Sequence, residues 1–100
     1  MAEFKNEQHG VEFSVPDHIL VRTQLAYFSA ISEAFGQEMW IRHWEGALQV
    51  INGWKCDQWP DPKEIDIDKE TDPALTRLIL WVGTKVLTHM SGLDAIPKNV

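Results

Sequence analysis

The chain has 100 residues, of which 44% are hydrophobic and 24% charged; this is the balance of one globular domain and excludes disordered, collagen-like and coiled-coil chains. Fifteen acidic against nine basic residues give a formal charge of −6, which disfavours nonspecific binding to DNA, RNA or anionic lipid because phosphate binding needs a basic face. The charge suits basic partners, whereas mimicry of nucleic acid would need it to be denser.

Residues 1–10 are polar and read as a flexible, frayed or extended segment, without the apolar stretch of a signal peptide. Val11, Phe13 and Val15 alternate with Glu12 and Ser14, predicting a short half-buried strand that Pro16 ends. Asp17 is the expected N-cap of a helix over residues 18–35. Leu20, Val21, Leu25, Tyr27, Phe28, Ile31 and Phe35 share one broad arc of that helix, and Gln24, inside the arc, needs a hydrogen-bond partner if buried. Gly36 ends or kinks it.

A second helix is expected over residues 37–52, angled to the first, with Trp40, Trp44, Ala47, Leu48 and Ile51 on one face. Trp40 and Trp44, one turn apart, read as core. Asn52-Gly53 supplies its stop. Residues 54–72 are irregular and acid-rich, with Ile65 and Ile67 a candidate edge strand for pairing with residues 11–15. The last helix starts at the Asp72 cap with Pro73 in its first turn. It carries Leu75, Leu78, Ile79, Val82, Val86, Met90 and Leu93 at helical spacing and is expected to stop at Gly92. Residues 97–100 form a tail. The expected architecture is therefore mainly α: a three-helix single domain over residues 11–96, with a short N-terminal strand and a candidate second strand to pair with it.

No residue pattern points to catalysis, a metal or a cofactor, so a non-enzymatic protein is expected. His9, His18, His43 and His89 have no metal-ligand spacing; His43 and His89 read as hydrogen-bonded core histidines. The run Asp66-x-Asp68-x-Glu70-x-Asp72 lacks the glycine and closing glutamate of a calcium loop. Cys56 is the single cysteine, so no internal disulfide forms and a cytosolic setting fits. No apolar run approaches the ~20 residues that span a bilayer. Basic patches interleaved with aromatics, the mark of nucleic-acid binding, are absent from the sequence.

Two features invite a functional reading. Trp81 lies off the centre of its helix's apolar face, and Trp54 and Trp59 sit in a Pro-containing loop, so all three are candidate partner-contact residues whose alternative role is to cap the core. Between Asp57 and Asp72 stand seven acids against Lys63 and Lys69. Asp66, Asp68 and Glu70 are the candidate docking residues there, the alternative being a solvated loop.

Several segments together resemble the small tail assembly chaperones of long-tailed phages. They are the F-x-V-P-D of Phe13 to Asp17, the Trp-rich central helix, the W-x-C-x-x-x-P loop from Trp54 to Pro60, the W-x-G of Trp81 to Gly83, and the I-P-K-N of Ile96 to Asn99. The resemblance implies a helical, non-enzymatic protein in the cytoplasm of a bacterial host. It implies a partner such as the tape-measure protein, whose apolar helices it would shield, and it allows self-association. A second expectation is an acidic phage-encoded inhibitor that occupies the basic cleft of a nucleic-acid-binding defence enzyme through residues 57–72.

Overall fold

The computed structural model describes residues 2–32, 36 and 38–94. Phe35, Gln37, the Leu93 side chain and the expected tail at residues 97–100 lie outside the described residues. In chain order the elements are β1 (Ala2–Asn6), β2 (Val11–Val15), α1 (Val21–Ser32), α2 (Glu38–Val50), β3 (Asn52–Cys56), a 3-10 turn (Pro62–Glu64) and α3 (Pro73–Asp94). Among the described residues three helices are present as expected, but the mainly α class is overturned. Three strands form an antiparallel sheet in the order β1-β2-β3, making a small α+β domain.

The sheet replaces two expectations. Residues 2–6, taken as part of a flexible segment, pair with β2 in the register Ala2↔Val15 to Asn6↔Val11. A turn through Glu7 and Gly10 closes this hairpin, with the Gly10 N–H donating to the Glu7 carbonyl at 3.2 Å and Gly10 at φ +62°. The second partner of β2 is β3, not Ile65–Ile67. With both edges of β2 occupied, residues 65–67 cannot pair with it. They form a loop instead, in which Ile65 and Ile67 pack against the core while Asp66 and Asp68 stay exposed. The period-two pattern there is one of alternate burial without a ladder.

β3 begins where the Asn52-Gly53 helix stop was expected. α2 ends at Val50, and Gly53, at φ +63°, sits where β3 carries one residue more than β2 between the pairs Glu12↔Lys55 and Ser14↔Asn52. Gly53 therefore serves a β-bulge, a position open to the left-handed region mainly for glycine.

Helix boundaries also shift. α1 starts at Val21, so Asp17 lies outside it. Gln24 finds its partner by donating from Nε2 to the Ile19 carbonyl at 2.8 Å. α3 starts as expected, the Asp72 carboxylate accepting from the Ala74 N–H at 2.9 Å. It does not stop at Gly92 but runs to Asp94, and Gly92 is not in the left-handed region.

The core is built where the helices meet the inner face of the sheet. Val11, Phe13 and Val15 of β2 are buried together with Trp44, Ala47 and Val50 of α2 and Leu75, Leu78, Val82, Val86 and Met90 of α3. Tyr27 is the α1 residue buried outright. Two glycines set the helix spacing: a Cβ on Gly46 would stand 3.0 Å from the Tyr27 ring, and one on Gly83 would stand 3.3 Å from the His43 Cβ. The W-x-G segment at Trp81 to Gly83 thus has a packing explanation.

Candidate functional site

The tryptophans singled out as contact candidates are tied into the core. Trp54 stacks on Phe13 with ring centroids 6.2 Å apart and meets Trp44 edge-on at 6.2 Å. Its indole N–H donates to the Trp59 carbonyl at 2.7 Å, which pins the Pro-containing loop to β3. Trp81 meets Phe13 edge-on at 5.8 Å, and Phe4 stacks on Phe13 at 5.1 Å. Trp54, Trp59 and Trp81 are all half-buried and pack against the core cluster. An aromatic layer of this kind seals a small sheet against its helices, which accounts for much of the tryptophan content.

The acidic segment divides by task. Asp61 accepts from the Lys63 N–H, Asp66 from the Asp68 N–H and Asp72 from the Ala74 N–H, so these three carboxylates hold the turns and caps of the loop. Asp66 also pairs with Lys69 at 3.8 Å, and Asp72 accepts a further bond from Gln58 at 3.2 Å. Asp68 and Glu70 are exposed, and among the described residues their carboxylates make neither a hydrogen bond nor an ion pair. Their charge has no structural task in the fold.

These two carboxylates stand on the rim of a groove between α2 and the first half of α3. The groove has a volume of about 370 Å³ and a floor of Trp40, Trp44, Leu75 and Ile79, with Asp72 completing the acidic rim. Among the described residues no Lys, Arg or His lines it. Trp40, expected in the core with Trp44, is 39% exposed, whereas Trp44 is 2% exposed. The difference follows position along α2: Trp40 lies in the first turn of the helix, and the buried residues of α2 begin at His43. Trp40 is therefore the aromatic that sequence reading missed; its place just after the Gly36 break was the available signal.

A second uncovered apolar area lies at the start of α1 and on the residue before it. Leu20, Val21 and Leu25 are 77%, 68% and 65% exposed, although they belong to the arc that was expected to face inward. The arc is too wide for one neighbour. Tyr27 and Ile31 face Gly46 of α2 and leave the Val21/Leu25 flank outside.

The polar residues inside the core do not converge. His43 is 9% exposed, meets the Trp40 ring edge-on at 5.7 Å, and burial pushes its pKa below the usual histidine value. The His43 Nδ1, the His89 Nε2 and the Tyr27 hydroxyl are buried without a hydrogen-bond partner among the described residues, so neither histidine is held by a hydrogen bond at that atom. The Cys56 thiol is buried and faces the His9 carbonyl at 3.9 Å. Among the described residues no group of three or more His, Cys, Asp or Glu is placed to hold a metal ion, and no helix is long and apolar enough to cross a membrane. Compared with protein-family models, curated proteins and solved structures, the chain matches none.

Proposed function

We propose that the chain is a non-enzymatic protein-binding module of the assembly-chaperone kind, of phage or prophage origin, which shields an apolar helical partner. The observation that carries this reading is the groove floored by Trp40: a large aromatic left 39% exposed in a concave apolar setting, with Asp68 and Glu70, which have no structural task, on its rim. Partly exposed tryptophans in apolar concavities are the side chains that dominate binding energy at protein interfaces. A groove between two helices is also a common receiver for one apolar face of a third. The net charge of −6 would keep a complex with an otherwise insoluble helix in solution.

In a phage setting the partner would be the tape-measure protein. The test is co-expression with the tape-measure protein of the genome that encodes the chain, followed by size-exclusion chromatography. The reading expects a soluble complex that Trp40→Ala weakens; a tape-measure protein whose solubility and elution ignore the chain would sink it. A second reading, the acidic inhibitor of a nucleic-acid-binding defence enzyme, draws on the exposed Asp57, Glu64, Asp68 and Glu70. It is the weaker one because Asp61, Asp66 and Asp72 are already committed to local turns, which thins the charge available to imitate a phosphate backbone.

A further inference from the structure

We infer that the occupant of the α2/α3 groove is a short amphipathic helix whose bulky apolar face is flanked by Lys or Arg, so that recognition is by charge as well as by shape. This rests on the protein-binding reading above and specifies the partner's chemistry. The floor is apolar and Trp40, in its lining, is 39% exposed. The rim is of one sign, with Asp68, Glu70 and Asp72 present and no basic side chain among the lining residues. Asp72 is committed to the α3 cap, which offsets the partial positive charge of that helix terminus. The charge that faces an incoming segment is therefore that of Asp68 and Glu70. An acidic or neutral polar flank would meet repulsion or uncompensated desolvation there, whereas Lys or Arg gains an ion pair and can lie over the Trp40 ring. A volume of about 370 Å³ admits anchor side chains and not a folded domain, which fits a helix laid along the groove with its anchors directed inward.

The experiment measures fluorescence anisotropy of labelled synthetic helices titrated with the full chain. One helix has a Leu stripe flanked by Lys, a second has the same stripe flanked by Glu, and a third has the Lys composition with the stripe scrambled. Saturable binding is expected for the Leu/Lys helix alone. Trp40→Ala should weaken it at least about tenfold, with circular dichroism confirming that this exposed position leaves the fold intact. The double variant Asp68→Asn/Glu70→Gln should weaken it about twofold to fivefold per charge and flatten its salt dependence. A matched control, Glu3→Gln/Glu7→Gln, removes the same net charge from exposed positions on and beside β1 and should leave binding unchanged. Equal losses in the two double variants would overturn the inference, because attraction would then follow net charge. Equal binding of the Leu/Glu helix, still abolished by Trp40→Ala, would overturn the charge selection while leaving the groove a docking site. Leu/Lys binding indifferent to Trp40→Ala would remove both.

Discussion

Gly46 and Gly83 show how little room separates the helices. At Gly46 a methyl group would meet the Tyr27 ring at 3.0 and 3.2 Å, in the middle of a rigid contact between α1 and α2. Overpacking of this kind costs about 1–3 kcal/mol, while alanine regains about 1 kcal/mol of helix propensity over glycine. Gly46→Ala is therefore expected to lose about 1 kcal/mol net in urea unfolding. The same change at Gly83, facing the His43 Cβ at 3.3 Å, should come close to cancelling. Tyr27 itself is a clean reporter because it is the single tyrosine. Its burial pushes the hydroxyl pKa up to about 12 from an ordinary 10.0. The folded chain holds that proton where the unfolded chain releases it, so the stabilisation is fully present below pH 10 and is lost as pH rises toward 12. Ultraviolet titration of the phenolate should show a midpoint near 12 in the native protein and near 10 in denaturant; a native midpoint near 10 would mean the ring is solvated.

At the scale of elements, α1 and α3 carry apolar arcs that look alike in sequence and differ in what covers them. Leu78 is fully buried, whereas Leu25 is 65% exposed. Leu78→Ala is expected to cost about 2–5 kcal/mol, and Leu25→Lys to stay within about 0.5 kcal/mol of the parent, both measured by chemical denaturation. Comparable losses at the two positions would place Leu25 in a covered interface. α3 also shows why a glycine is an ambiguous stop signal. Gly92 lies inside the helix, is exposed, and a Cβ there would meet nothing within 4 Å. Gly92→Ala should therefore stabilise the protein by about 0.5 kcal/mol, the lower end of the helix-interior effect because the end of α3 is near. Destabilisation would show that Gly92 is not an ordinary helix-interior position.

The whole molecule depends on an aromatic layer that joins sheet to helices, and this separates two tryptophans by task. Trp81 closes the contact between α3 and Phe13 of β2, so Trp81→Ala should cost about 3 kcal/mol of stability by thermal or chemical unfolding. Trp40, on the open groove, should cost less than about 1 kcal/mol when truncated and show its effect in binding. If the two variants lose equal stability, Trp40 is core and the groove has no free anchor. The division also explains the fate of Trp54 and Trp59, whose mutual hydrogen bond and packing serve the loop-to-core closure.

What the amino-acid sequence determined by itself is whatever depends on neighbours in the chain. The alternation at Val11, Phe13 and Val15, the Asp72-Pro73 start of α3, the break at Gly36 and the number of helices all follow from capping, backbone freedom and hydrophobic period, which act within a few residues. What only the tertiary structure decided is whatever depends on coverage. Five-residue strands such as β1 and β3 have little stability of their own and exist because β2 offers each of them an edge. The same holds for the acid-rich loop, where both edges of β2 are already taken, so that Ile65 and Ile67 pack against the core without pairing with β2. Likewise, which flank of the α1 arc is buried, and whether Trp40 or Trp81 meets solvent, is set by where α2, α3 and the sheet lie. Local pattern ranks residues by their need for cover, and the packing of distant elements decides which of them receive it.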